Sequence, residues 1–284
     1  MDIGADPAGR LLIRDSNPGR VSLRPGGVGR NIAHDLRLLG LDVSLVAALG
    51  GDPLSQLLGD SCRELGIDLS MAPVLPEGRC GVYLYVTDGA GDMHTAVSDM
   101  ELTAAITPEV LAPWMERLNR MDAVVLDANL PEETLRYAAE NSAAPLYADP
   151  VSAAKAPRLR SVLHRLRAIK PNALEAEALT GEREPERAAR ALLAAGVGRV
   201  FISLGAEGLL AAEGDRLLHL PCAPCAVVNT NGAGDAATAA RVWAGIRGLD
   251  LERSARAALL AGAVTAASPE TNAPGLRRLP EEIG

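Results

Sequence analysis

Short apolar runs alternate with longer amphipathic stretches along most of this 284-residue chain, and that alternation limits the folds open to it more than any other feature. Residues 43–49, 123–126, 146–148 and 199–204 have the length and β-branched or aliphatic content of buried strands. Residues 30–39, 54–65, 108–118, 132–140, 174–180 and 186–195 carry helical spacing, and Gly40, Gly66, Gly181 and Gly196 stand where helices should stop. A strand that is apolar throughout has to be covered on both sides. The pattern therefore predicts an α/β fold: a central, mainly parallel sheet with helices on both faces. One region breaks the rhythm. Residues 80–86 and 93–98 read as two strands joined by a polar, glycine-containing hairpin loop at 87–92. With the stretch 11–23 they are expected to form a small β-sheet lid over a substrate, or an edge extension of the main sheet.

Composition narrows the function classes. With 48% hydrophobic residues and no internal repeat or linker, residues 1–284 are read as a single domain. Aromatic residues make up only 2%, so Ala, Leu and Val must build the core. A formal net charge of −8 leaves no electrostatic footprint for nucleic acid or an anionic membrane surface. No run of about 18 apolar residues suggests a transmembrane helix, and residues 1–6 have neither the basic start nor the apolar stretch of a signal peptide. Four cysteines do not make a disulfide scaffold in a chain of this length, so a reduced, cytoplasmic setting is expected. The pair Cys222-Ala223-Pro224-Cys225 has only His219 near it, and it reads as structure rather than as a metal or redox centre.

Four segments carry chemistry. In Asn229-Thr230-Asn231-Gly232-Ala233-Gly234-Asp235, a glycine-rich turn opens a helix of small residues. Unpaired N–H groups at Gly232, Ala233 and Gly234, beside the positive end of a helix dipole, suit a phosphoryl group in transfer. Asp235 next to them can take the proton of an attacking hydroxyl. A glycine-rich helix start with an ordinary first-turn Asp would look the same. In Pro25-Gly26-Gly27-Val28-Gly29-Arg30-Asn31, the glycines permit a ligand to approach the backbone and Asn31 can bind sugar hydroxyls; a tight turn is the alternative. In Lys170-Pro171-Asn172-Ala173-Leu174-Glu175, Asn172 and Glu175 share one helix face. They suit Mg²⁺–water–phosphate contacts, form a capping box, or do both. Ser203, Gly205 and Gly208 end an apolar strand in a glycine turn, where open α/β sheets bind ligands and where a plain turn is nearly as natural.

In this order the four segments resemble the phosphofructokinase-B/ribokinase family of carbohydrate and nucleoside kinases. Residues 26–31 match its N-terminal glycine signature, residues 229–235 its C-terminal Asp-Thr-x-Gly-Ala-Gly-Asp signature, and Asn172 with Glu175 its Asn-x-x-Glu motif. The resemblance implies a ribokinase-like fold whose β-sheet lid often serves as a homodimer interface, and ATP and Mg²⁺ as cofactors. By position it makes Asp235 the base and Gly232, Ala233 and Gly234 the anion hole. Asp2, Gly26, Gly27 and Asn31 become sugar contacts, Asn172, Ser203, Gly205, Gly208 and Thr230 nucleotide contacts, and Glu175 the Mg²⁺ position through water. Within the family, 17–20, 26–33, 98–100, 127–131 and 149–156 resemble the pseudouridine-kinase branch, which implies transfer to the 5′-hydroxyl of a nucleoside. Ribose and adenosine kinases, and a catalytically silent sugar- or nucleoside-binding protein on the same fold, are the competing readings. A dinucleotide-binding oxidoreductase is not supported, because no Gly-x-Gly-x-x-Gly follows the first strand with an acid about 20 residues on.

Two departures from the family pattern carry expectations of their own. Asn229 stands where the signature has Asp, which puts activation by a monovalent cation in doubt. Asp2 sits so close to the start that it reads as the closing acid of a central strand otherwise missing. A chain extended upstream would then be more stable and more active than this one.

Overall fold

A computed structural model describes residues 1–88, 93–222 and 225–283. In chain order the strands are β1 (Asp2–Pro7), β2 (Gly19–Arg24), β3 (Leu49–Gly50), β4 (Val74–Leu75), β5 (Val82–Thr87), β6 (Met93–Asp99), β7 (Val124–Asp127), β8 (Leu146–Asp149), β9 (Leu166–Ile169), β10 (Arg199–Ser203), β11 (Leu209–Glu213) and β12 (Arg216–Leu220). The helices are α1 (Val28–Leu38), α2 (Pro53–Glu64), α3 (Pro108–Leu111), α4 (Met115–Leu118), α5 (Glu132–Asn141), α6 (Ala173–Thr180), α7 (Pro185–Ala194), α8 (Ala233–Ile246), α9 (Leu251–Ala266) and α10 (Leu279–Ile283).

Six strands form the central sheet in the order β12-β11-β10-β9-β8-β7. β7 to β10 run parallel, and β11 and β12 return antiparallel. Side chains alternate between two cores. Leu146, Ala148, Val200 and Ile202 face one cluster with α5, α6 and α7; Tyr147, Ala168 and Phe201 face the other with α1, α8 and α9. That two-sided burial is why these strands are apolar without a break. The second core is built largely from alanines of α8 and α9, which let the two helices pack closely. Arg241, only 1% exposed, fills volume that few aromatic residues are there to supply. Its guanidinium lies 5.4 Å from the ring centre of Tyr147 and 5.8 Å from that of Phe201.

A second sheet, β2-β1-β5-β6, stands apart from the first. Within 11–23, strand structure begins only at Gly19, and the sheet gains β1, which sequence patterning did not identify as a strand. Of the hairpin loop expected at 87–92, residues 89–92 lie outside the described residues, as do 223–224 of the cysteine pair. Asp2 opens β1 and so belongs to the small sheet. The register puts Leu23, Ile3, Leu84 and Val97 in one row across the sheet, with Val21 and Ala5 beside them on the same face. Val21 and Val97 are 76% and 65% exposed. The opposite face carries Asp2, Gly4 and Tyr85 and turns toward the main body; Arg24 donates to Pro269 O at 3.3 Å.

The expected strand at 43–49 is not part of the central sheet. Its backbone pairs with 68–75 instead, through a Ser44–Asp68 bridge, Leu45 N–H to Asp68 O and the short β3–β4 ladder. Val43, Val46 and Ala48 still pack against the two cores, so the apolar run is accounted for by side-chain burial alone. The expected helix at 108–118 is interrupted by a 3₁₀ turn at Ala112–Trp114, which contains Pro113.

Candidate active site

The carboxyl ends of β8, β9 and β10, the start of α1 and the start of α8 come together, through the Asn31–Asp235, Thr238–Asp149, Lys170–Gly234 and Asn172–Ser203 contacts, where open α/β sheets bind ligands. From the small sheet, Asp2 reaches over Gly26. A Cβ built on Gly26 would stand 2.1 Å from Asp2 Oδ2, so only glycine lets the two meet. Gly27 caps α1 and its carbonyl accepts the Asn31 N–H at 2.8 Å. One helical turn into α1, Asn31 Nδ2 donates to Asp235 Oδ2 at 2.9 Å. Residues 204 positions apart thus join the loop expected at 26–31 to bind sugar to the acid expected to act as base.

Asp235 lies in the first turn of α8, whose N-cap is Gly232 at φ 82°. Ala233 N–H goes to Thr230 O at 3.4 Å, while the N–H groups of Gly234 and Asp235 find no acceptor among the described residues. The first N–H groups of a helix have no intrahelical acceptor, and such groups can meet an anion. The Asp235 carboxyl is held well above the ordinary carboxylate range. Burial is the main cause and the charge of Asp149 the next; Asn31 and Lys170 pull the other way. Asp149 ends β8, accepts from Thr238 Oγ1 at 2.7 Å and from Val151 N–H at 2.9 Å, and is itself buried.

Asn172 and Glu175 form the reciprocal capping box of α6, each side chain bound to the other's backbone N–H at 2.9 Å. Burial raises the Glu175 carboxyl, and Asn172 and Lys170 moderate the rise. Its Oε2 is committed to Asn172, and among the described residues no hydrogen bond holds its other oxygen. With no group of three or more His, Cys, Asp or Glu ligands among the described residues, there is no all-protein cage. A single carboxylate beside a phosphate site fits Mg²⁺, which keeps most of its water. Ser203 N–H donates to Pro171 O at 2.9 Å, fixing the turn that carries Gly205 and Gly208 next to Asn172. Thr230 is exposed in the 229–231 loop, whose Asn229 accepts from Asn231 N–H at 3.0 Å.

The contacts bring the expected residues together in groups: Asp2 lies against Gly26, Asn31 bonds Asp235 at the α8 opening, and Asn172, Glu175 and Ser203 join one another. Sequence reasoning passed over Asp149, Thr238 and Lys170 as site residues. The available signal was a charged residue at the carboxyl end of an apolar strand, which is where ligands bind in this architecture.

Behind Asn31 lies a buried polar network. Asn272 donates to Asn31 O at 3.1 Å and to Asp35 Oδ1 at 2.9 Å and accepts from Arg30 Nη1 at 2.9 Å. Asp35 is fully buried, its Oδ2 has no partner, and burial pushes its carboxyl up to about 7. A folded-state value above the unfolded one means stability that is fully present below about pH 4 and is lost as pH rises through 7. Asp35→Asn should flatten this slope. Between pH 5 and 8 the wild type should lose on the order of a few kcal/mol more than the variant, read from urea midpoints at the two pH values.

Comparison with known proteins places this chain in a family. Residues 6–277 match the model of the pfkB family carbohydrate kinase. Pseudouridine kinase of Escherichia coli K12 is 35% identical over 97% of this chain and 90% of its own length. The uncharacterized sugar kinase YeiI of the same organism is 31% identical over 97% of this chain and 78% of its own. Among solved structures, a carbohydrate kinase from Agrobacterium tumefaciens superposes with a TM-score of 0.83 at 29% identity, covering 98% of this chain and 92% of that one. A ribokinase from Thermotoga maritima shares the fold with a TM-score of 0.86 at 23% identity, covering 99% and 95%. The chain belongs to the pfkB family of carbohydrate kinases, phosphotransferases whose acceptor is an alcohol group.

Proposed function

We propose that this enzyme transfers the γ-phosphoryl group of ATP to the 5′-hydroxyl of a nucleoside, with pseudouridine as the preferred acceptor. The observation that carries the reading is the Asn31–Asp235 hydrogen bond, because it ties the sugar loop to the acid beside the anion site. Asp2, Gly26, Gly27 and Asn31 receive the ribose. Asp235 takes the hydroxyl proton as the oxygen attacks phosphorus, and the amides opening α8 carry charge on the transferred group. Asn172, Ser203, Gly205, Gly208 and Thr230 flank the nucleotide. Glu175 holds Mg²⁺ through water; when bound, the ion neutralises charge on the phosphates. Preference for pseudouridine rests on the 35% identity to the Escherichia coli enzyme. The ribokinase of Lactococcus lactis, 26% identical over 84% of this chain, favours ribose as the second reading.

ADP release measured with ATP·Mg²⁺ against pseudouridine, uridine, adenosine, ribose and fructose 6-phosphate tests the assignment. Strong preference for pseudouridine supports it; turnover of another acceptor keeps the mechanism and replaces the substrate. Silence across the panel favours a sugar- or nucleoside-binding protein.

The exposed apolar face of the small sheet is proposed to join two copies, so that the lid is also the dimer interface. Light scattering should give twice the monomer mass, and Val21→Glu combined with Val97→Glu should halve it. A wild type that is monomeric at micromolar concentration removes the interface.

A further inference from the structure

We propose that Lys170 is a catalytic residue whose ammonium binds an oxygen of the phosphoryl group in transfer; the inference rests on the kinase reading above. Lys170 follows β9 directly and is 4% exposed. Its Nζ lies 3.7 Å from the point where a Cβ on Gly234 would stand, so it is aimed into the opening turn of α8, where the Gly234 and Asp235 N–H groups lack acceptors. Among the described residues its ammonium has no hydrogen bond and no ion pair. The surrounding carboxylates are each held by something else: Asp235 by Asn31, Asp149 by Thr238 and Val151, Glu175 by the Asn172 N–H. The other lysine of the chain, Lys155, is committed to Asn129 Oδ1 at 2.6 Å.

A buried ammonium that meets Asp235 and Glu175 only at a distance, with no direct hydrogen bond or ion pair among the described residues, is poorly compensated in the free protein. The penalty is relieved when an anion enters the space that Lys170 and the two amides share. Three rotatable donors on one compact charge suit the oxygens of a tetrahedral, multiply charged group better than a planar fork would. In an otherwise arginine-rich chain this position holds one of only two lysines. The balance of the step is unchanged by it. The acceptor oxygen forms the new bond to phosphorus, the bond to the bridging oxygen of ADP breaks, the hydroxyl proton passes to Asp235, and Lys170 keeps its protons throughout.

Lys170→Met separates this role from a structural one. Calorimetric titration with a non-hydrolysable ATP analogue and with ADP, both with Mg²⁺, is compared with turnover of the best acceptor. The expected result is a kcat lower by a factor on the order of 10², analogue binding weaker by about tenfold, and ADP binding within about twofold of wild type. Near-normal kcat, or equal weakening of analogue and ADP, overturns the proposal and leaves Lys170 a structural residue. Should the Met variant not fold, Lys170→Gln is judged by the same ratio of analogue to ADP affinity. A wild type that neither binds the analogue nor turns over any acceptor sinks the kinase reading and this proposal together. An active wild type with an unaffected variant sinks this proposal alone.

Discussion

Replacing Asp235 with Asn should lower kcat by a factor on the order of 10² or more and leave KM for the acceptor close to that of wild type. The amide is nearly the same size, and its oxygen can still accept the hydrogen bond that Asn31 donates at 2.9 Å. The sugar loop therefore keeps its tie to α8, and only the capacity to take a proton is removed. Initial rates across acceptor concentrations with saturating ATP·Mg²⁺ measure both parameters, and a variant with near-normal turnover would remove Asp235 from the role of base. A second consequence runs the other way. Burial and the neighbouring Asp149 raise the Asp235 carboxyl, so ionising it penalises the folded state as pH climbs above the ordinary carboxylate range. The Asn side chain carries no such penalty. The variant should therefore melt at a higher temperature than wild type at pH 8, with the gap narrowing as pH falls. Lost turnover together with gained stability is the signature of a residue held in place for chemistry.

The burial of Asp235 and the crowding of its carboxyl by Asp149 were not visible in its motif. The glycines and the acid of 229–235 are local, so the helix start and the offered amides could be read from residue order alone. So could the buried strands, whose apolar runs report burial on two faces. What residue order does not carry is which strand each edge chooses. The stretch 43–49 is apolar enough for a central strand, yet its hydrogen bonds go to 68–75 and only its side chains join the core. Asp2–Pro7 alternates weakly and contains two glycine or proline positions, so β1 offered little strand signal until its neighbours β2 and β5 supplied a ladder. The same limit hid Asp149 and Lys170. Each is a single charged residue after an apolar run, and its meaning comes from α8 being folded back across the strand ends. Arg241 was equally opaque, since a helix of alanines gives no sign that an arginine will be stacked between Tyr147 and Phe201 in its interior.

Gly232→Ala should damage both stability and turnover, and a second glycine shows how to separate the two. Gly232 caps α8 at φ 82°, a conformation that costs a residue with a side chain roughly 1–2 kcal/mol. A Cβ there would also stand 2.1 Å from Thr271 O, a backbone atom that cannot rotate away. Either the 229–232 turn or the segment around Thr271 must move. The first choice displaces the amides that open α8. The second displaces Asn272, which holds Asn31 O and Asp35, and through Asn31 it reaches Asp235. Both routes end in the candidate active site, so kcat should fall by a factor on the order of 10²–10³, as when an oxyanion donor is lost. Gly248 is the control: it has φ 70°, with nothing within 4 Å of its built Cβ. Gly248→Ala should lower the melting temperature through backbone strain alone and leave kcat within about twofold of wild type. If the two variants lose turnover equally, the effect of Gly232 is general destabilisation. If Gly232→Ala loses turnover far beyond the control at matched stability, the α8 opening is the part of the fold that handles the phosphoryl group.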